Sequence, residues 1–326
     1  MTGLTMAPDL SRHPWVLANQ DRIRFGIAYG PRADWPETAA FVQEVEAVGF
    51  DSYWTMDHPV SGFDAWTSLA ALAAVTSRIR LGPLVSCVLY RSPPMLARLA
   101  ADVDRISTGR LVLGVGGGNH ALEFEKLGIP FSPTGERLAA VEETVRDVLT
   151  HWGQAPAADG DPDRTGVALV RPGPIQRPHV PLLIAGGGEK VTLRQVARYA
   201  DASNFSPHVQ AGSAYGADDV RRKLDALRSH CDDIGRPYNA ILRTQVAVPV
   251  VLAETPAALE AKLAAIPERI RRAYASSTLA GLPDDAVAYY SRLAGAGLTY
   301  FIAGIYGNDR DTVRLFAERV VSNVGI

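Results

Sequence analysis

From residue 23 onward the apolar segments alternate between strand-like and helix-like runs, and this alternation constrains the fold more than any other feature. Residues 23–29 (IRFGIAY) read as a buried strand. Residues 35–48 follow, with Phe41, Val45 and Val48 at helical spacing and Gly49 as a C-cap. The pattern then repeats, predicting strands over 52–56, 79–86, 111–116, 181–185, 202–205, 241–251 and 299–303. Between them lie helical patterns over 65–76, 94–106, 134–152, 189–199 and 218–234, within 255–294, and over 310–320. A parallel strand needs a crossover helix before its neighbour, and eight such units close on themselves. The expectation is therefore an α/β protein, a (β/α)8 TIM barrel with insertion segments, rather than an open sheet. No fixed-period repeat suggests a solenoid.

Residues 22–326 read as one barrel domain. Residues 1–21 read as a flexible leader, and the Gly-, Pro- and Asp-rich stretch 153–178 as an insertion that holds a short hairpin at most. A chain of 326 residues buries roughly three quarters of its unfolded surface, so its core needs no staples. Cys87 and Cys231 form no CxxC pair, which fits a reducing compartment. A net charge of −2 leaves no basic footprint for nucleic acid. No apolar run approaches the ~20 residues of a membrane span, and no signal-peptide pattern opens the chain. These features predict a cytoplasmic protein acting on a small molecule, with neither membrane nor nucleic acid as partner.

Barrel chemistry sits at the C-terminal ends of the strands. Asp57-His58 follows the second strand directly. His58 can give or take a proton near neutral pH, and Asp57 can orient a neighbour, although a structural histidine capping a loop fits the same position. No close histidine pair suggests a metal site. The run Gly114-Val115-Gly116-Gly117-Gly118-Asn119-His120 lets backbone pass close to a ring or a phosphate. Asn119 stands where a dinucleotide fingerprint needs its last glycine, so the run fails as that motif. Gly186-Gly187-Gly188-Glu189 leads from the fifth strand into a helix, and successive N–H groups there make an anion site. A tight turn is the plainer explanation, but three glycines exceed what a turn requires. The motifs Gly-x-Ser-x-Gly and His-Glu-x-x-His are absent.

Together the segments around Ser52-Tyr53-Trp54 with Asp57-His58, Arg78 to Pro83 with Tyr90-Arg91-Ser92-Pro93, Ser107 to Gly114, and Val180 to Asp201 resemble the bacterial luciferase-like oxidoreductase superfamily. The resemblance is strongest to its branch that uses coenzyme F420, a 5-deazaflavin. It implies that Asp57 and the catalytic His58 contact the deazaflavin ring. It also implies a non-proline cis peptide behind the ring, at Leu84-Val85 or Val85-Ser86. Gly116, Gly117, Gly118 and Asn119 would lie along the cofactor tail, and Gly186 to Glu189 would hold its phosphate. Sugar-phosphate and alcohol dehydrogenase members carry a catalytic Glu where this chain has Asn119, and an amide cannot serve as that acid. The implied reaction is reduction of a C=C or C=N bond by the reduced cofactor, in a homodimer. An FMN-dependent luciferase-like monooxygenase is the alternative, and a non-catalytic flavin-binding barrel the second. Substrate-lining candidates are Trp35, Phe63, Asn119, His120, His208 and Tyr306.

Overall fold

The computed structural model describes residues 12–19, 22–30, 34–153, 170–207 and 215–325. In chain order its elements are α1 (Pro14–Leu17), β1 (Arg24–Gly30), α2 (Trp35–Ala47), β2 (Ser52–Thr55), α3 (Ala65–Val75), β3 (Arg80–Pro83), β4 (Ser86–Cys87) and α4 (Pro93–Ile106). They continue with β5 (Leu113–Gly116), α5 (Ala121–Lys126), α6 (Thr134–His151), β6 (Leu182–Ala185), α7 (Thr192–Tyr199), β7 (Ala202–Phe205) and α8 (Ala217–Asp233). The last are β8 (Leu242–Ala247), β9 (Val250–Leu252), α9 (Pro256–Ala265), α10 (Glu268–Ala273), β10 (Leu279–Gly281), α11 (Pro283–Ala294), β11 (Tyr300–Tyr306) and α12 (Arg310–Arg319).

Nine strands form one sheet in the order β3-β2-β1-β11-β8-β7-β6-β5-β4, and the neighbours pair in parallel. Its two ends, β3 and β4, come from one run of chain, so the sheet bends round to meet itself. Leu81 of β3 bridges Leu111 just ahead of β5. The result is the expected barrel, with β3 and β4 sharing one of eight wall positions. The strands are buried on nearly every residue because helices cover one face and the barrel interior fills the other.

Helix starts follow local chemistry. Asp34, Asp64, Thr255 and Asp309 each accept a backbone N–H of the first turn of α2, α3, α9 and α12. Two apolar cores result: a large one between wall and helices, and an interior one holding Trp54, Val112, Leu183, Leu242, Tyr300 and Ile302.

The reading of residues 1–21 as a loose leader does not hold for 13–19. Trp15 and Val16 are fully buried in the barrel interior, with the indole 6.0 Å from the Tyr300 ring. Burying ~150–250 Å2 of an aromatic ring at ~25 cal/mol per Å2 stabilises by at most about 4–6 kcal/mol. His13 secures this plug. Its Nδ1 accepts from Trp15 N at 3.1 Å and its Nε2 meets the His179 carbonyl at 2.8 Å. Burial lowers the His13 pKa, keeping the ring neutral as those two bonds require.

The strand expected over 241–251 is two strands, because Pro249 has no N–H to continue the ladder; β9 leaves the barrel to pair with β10. Most of the 153–178 insertion, including any hairpin, lies outside the described residues. Its end is tied down: buried Asp104 accepts from Ile175 N, Gln176 N and Gln176 Nε2.

Candidate active site

β2 ends at Thr55 and delivers Asp57 and His58 to the C-terminal edge of the barrel. Asp57 is buried, and both of its oxygens are engaged. Oδ2 accepts from Ser86 Oγ (3.0 Å), Cys87 N (3.1 Å) and Arg91 (2.6 Å), and Oδ1 accepts from Arg91 (3.0 Å). Arg91 also reaches Asp64 at 2.7 Å, the residue that caps α3. Burial alone would lower the Arg91 pKa, but its bonds to Asp57 and Asp64 raise it above the ordinary value. A buried carboxylate is tolerated only when paired in this way. Asp57 is thus a brace that pins the end of β2 to β4. The Ser86 hydroxyl donates to Asp57 and also accepts from Trp66 Nε1 at 3.2 Å.

His58 is different. Its Nδ1 lies 2.7 Å from Glu123 Oε2, and Tyr90 Oη donates to the same oxygen at 3.0 Å. Glu123 is 1 % exposed, whereas the His58 side chain is 35 % exposed, with its ring 6.2 Å from that of His120. An ionised Glu123 accepts the Nδ1 proton, which leaves Nε2 as the nitrogen able to exchange one. No hydrogen bond to Nε2 occurs among the described residues. Burial, with Cys87 and Glu123 adding to it, raises the Tyr90 phenol, so Tyr90 stays a donor.

Glu123 is the residue sequence reasoning missed. Asn119, where the acid was sought, is exposed, and the carboxylate stands one helical turn further on in α5. The available signal was its place in a short helix directly after a strand-end glycine run, on the face where barrels carry their chemistry.

The peptide between Leu84 and Val85 is cis, the first of the two positions expected. Leu84 and the half-buried Val85 belong to the upper part of the barrel-interior core. The glycine run packs directly against this bulge. A Cβ on Gly114 would stand 2.2 Å from the Pro83 carbonyl oxygen, one on Gly116 2.7 Å from Val85, one on Gly117 3.0 Å from the Arg137 carbonyl oxygen, and one on Gly118 2.8 Å from Cys87 Sγ. Gly118 also has a φ of +72°. Close packing alone therefore accounts for these glycines. Burial pushes the Cys87 thiol up to about 12, so it is no nucleophile.

The second glycine run follows β6 at the same end of the barrel. The helix begins at Thr192 rather than at Glu189, because a turn intervenes. Gly186 N is engaged with the Asn204 carbonyl at 3.0 Å. The N–H groups of Gly187, Gly188 and Glu189 have no acceptor among the described residues. The Glu189 carboxylate is paired with Arg222, His230 Nε2 meets its carbonyl at 2.8 Å, and the buried Lys223 donates to the Gly187 carbonyl at 2.5 Å. The loop thus offers backbone amides, while the Glu189 side chain is directed to α8.

Of the lining candidates, Trp35 is half-buried, and Phe63, Asn119, His120 and Tyr306 are exposed; His208 lies outside the described residues. Among the described residues no group of three or more His, Cys, Asp or Glu side chains is arranged to hold a metal ion, and no helix is long and apolar enough to cross a membrane.

Residues 11–303 match the family model described as luciferase-like monooxygenase. The chain is 26 % identical over 337 residues to the 5,10-methylenetetrahydromethanopterin reductase of Archaeoglobus fulgidus, covering 92 % of this chain and 99 % of that one. It is 31 % identical over 220 residues to the F420-dependent glucose-6-phosphate dehydrogenase of Kineococcus radiotolerans, covering 63 % and 61 %. An uncharacterized protein of Mycobacterium bovis is 34 % identical over 152 residues, a match of 46 % of this chain that spans only about half, 52 %, of that relative's length. The fold resembles the coenzyme F420-dependent tetrahydromethanopterin reductase of Methanopyrus kandleri (TM-score 0.74, 20 % identity, 93 % of this chain and 100 % of that one). It also resembles a monooxygenase of Streptomyces bottropensis (TM-score 0.76, 24 % identity, 93 % and 100 %). A closed parallel barrel, and a family match running through nearly its whole length, make this chain a member of the luciferase-like monooxygenase family.

Proposed function

We propose that the protein is an F420-dependent oxidoreductase that transfers a hydride between the deazaflavin and a small organic substrate, in the direction of reducing a C=C or C=N bond. One observation carries this reading: an imidazole with a free Nε2, held through Nδ1 by a buried carboxylate, at the mouth of the barrel. A relative named an F420-dependent dehydrogenase supports the choice of cofactor, and a relative named a reductase supports the direction.

The residues present fit such a cofactor. Three unengaged amides at Gly187, Gly188 and Glu189 suit its phosphate, and the Leu84-Val85 bulge offers an apolar ledge for a planar ring. Bound deazaflavin supplies a two-electron hydride donor. The chain supplies the proton. When a polarised double bond accepts a hydride, its other atom gains electron density and must be protonated. His58 gives that proton from Nε2, while Glu123 steadies the imidazolium through Nδ1. Tyr90 fixes the Glu123 oxygen, and Asp57 with Arg91 holds the loop that carries both partners. We place the cofactor tail along residues 116–119 and read the protein as a homodimer, a state that light scattering checks.

Parallel titrations with F420 and FMN, followed by an anaerobic acceptor screen, test this reading. Tight F420 binding with acceptor turnover is expected. Preferential FMN binding with oxygen consumption would replace it by the monooxygenase alternative, and binding without turnover of any acceptor by a non-catalytic barrel. In the active protein His58→Ala should lower turnover about 100-fold or more with a much smaller loss of cofactor affinity. A loss confined to affinity would make His58 a binding residue only.

A further inference from the structure

A second groove lies at the opposite end of the barrel, where the chain enters β8 and β11. It is open to solvent, offers about 280 Å3, and is lined in part by Arg221, Asp225 and Arg228 of α8, together with Tyr238, Arg243 and Gly297. That volume lies just below the roughly 300–1,000 Å3 of drug- and cofactor-sized pockets and suits a small ligand. Its chemistry is dominated by guanidinium groups. Arg228 lies over the Tyr238 ring at 4.2 Å and Arg243 over the same ring at 5.1 Å.

Neither of these two arginines has a carboxylate partner among the described residues. Arg243 donates from Nε to the Gly297 carbonyl at 2.7 Å and reaches the Ile241 carbonyl at 3.5 Å, and Arg228 makes no hydrogen bond. Arg221 is already paired with Asp218, and Asp225 pairs with none of the three. Burial lowers the Arg243 pKa from its ordinary value; Tyr238 offsets this and Arg228 adds to it. Both guanidiniums thus keep N–H donors that no carboxylate takes up, and their planar forks match tetrahedral oxyanions two oxygens at a time.

We propose that this groove binds a small phosphate dianion, either free or as a phosphomonoester, gripped between Arg228 and Arg243. The site is separate from the glycine loop at the barrel mouth and does not depend on the cofactor reading.

The test uses the full chain carrying Gly188→Asp, a substitution that places a carboxylate at the loop and removes it as a competing phosphate site. Phosphate is titrated at constant ionic strength and followed by phosphorus NMR. Saturable binding is expected, weakened roughly ten-fold or more by Arg228→Gln, an exposed position. Arg243→Lys, which keeps the charge and loses the fork, should weaken it as well, with circular dichroism confirming the fold. Sulfate should compete and acetate should not. Comparing inorganic phosphate with glycerol phosphate tells the free anion from a monoester by which binds more tightly. The proposal is overturned by absence of saturable binding of either compound, by affinity unchanged in both variants, or by acetate competing as well as sulfate.

Discussion

The two glycine runs look alike in sequence and do opposite things. In residues 114–118 the missing side chains are filled by protein. The Pro83 carbonyl, Val85 and Cys87 occupy the space a Cβ would take, so the backbone of β5 lies hard against the bulge between β3 and β4. That contact launches α5 at the angle that brings Glu123 under His58. In residues 186–189 the demand is milder: Gly186 has a φ of +123°, and a Cβ there would stand 3.2 Å from the Thr192 methyl rather than against backbone. Gly188 is exposed, its absent Cβ would meet only the Thr192 hydroxyl at 3.1 Å, and three successive amides stand free. One run is a packing joint that aims a carboxylate. The other is an open cradle. The same residue type answers a steric demand in the first and presents hydrogen-bond donors in the second.

Substitutions should separate the two. The largest effect is expected for Gly114→Ala, whose methyl would sit 2.2 Å from a backbone oxygen that cannot rotate away. It should cost about 3 kcal/mol or more in denaturant unfolding, beyond ordinary overpacking. A normal midpoint would show that the joint relaxes freely. Next comes Glu123→Gln, which keeps the shape but cannot hold an imidazolium. Turnover should fall about ten-fold or more with near-wild-type stability. Unchanged turnover would mean that Glu123 only packs.

Gly188→Asp should weaken deazaflavin binding strongly while leaving the melting transition close to wild type, because it adds a negative charge beside the free amides at an exposed position. Equal affinity in wild type and variant would move the phosphate elsewhere. The smallest effect is expected for Gly188→Ala, which needs only a slight shift of the Thr192 side chain and should change stability by less than about 1 kcal/mol. If it destabilises as much as Gly114→Ala, the two runs are not different in kind.

The alternation of strand and helix was written in the chain, since each buried strand needs an unbroken β-rich run and each helix an amphipathic one with its cap. Asp34, Asp64 and Gly49 mark helix ends through local bonds that need no tertiary partner. His58 was legible for a similar reason, because a titratable side chain immediately after a barrel strand has few other places to point. What the tertiary structure alone decided are the pairings between distant segments. Asp57 meets Arg91, Glu123 reaches His58 across 65 residues of chain, and Glu189 turns to Arg222. Trp15 likewise leaves the expected leader to fill the barrel floor, because only the closed sheet creates an apolar hole of that size. Local propensity acts over a few residues and can be read in order along the chain. The partner of a buried charge or a large ring is set by which surfaces closure brings within 3–4 Å, and no stretch of sequence carries that information by itself.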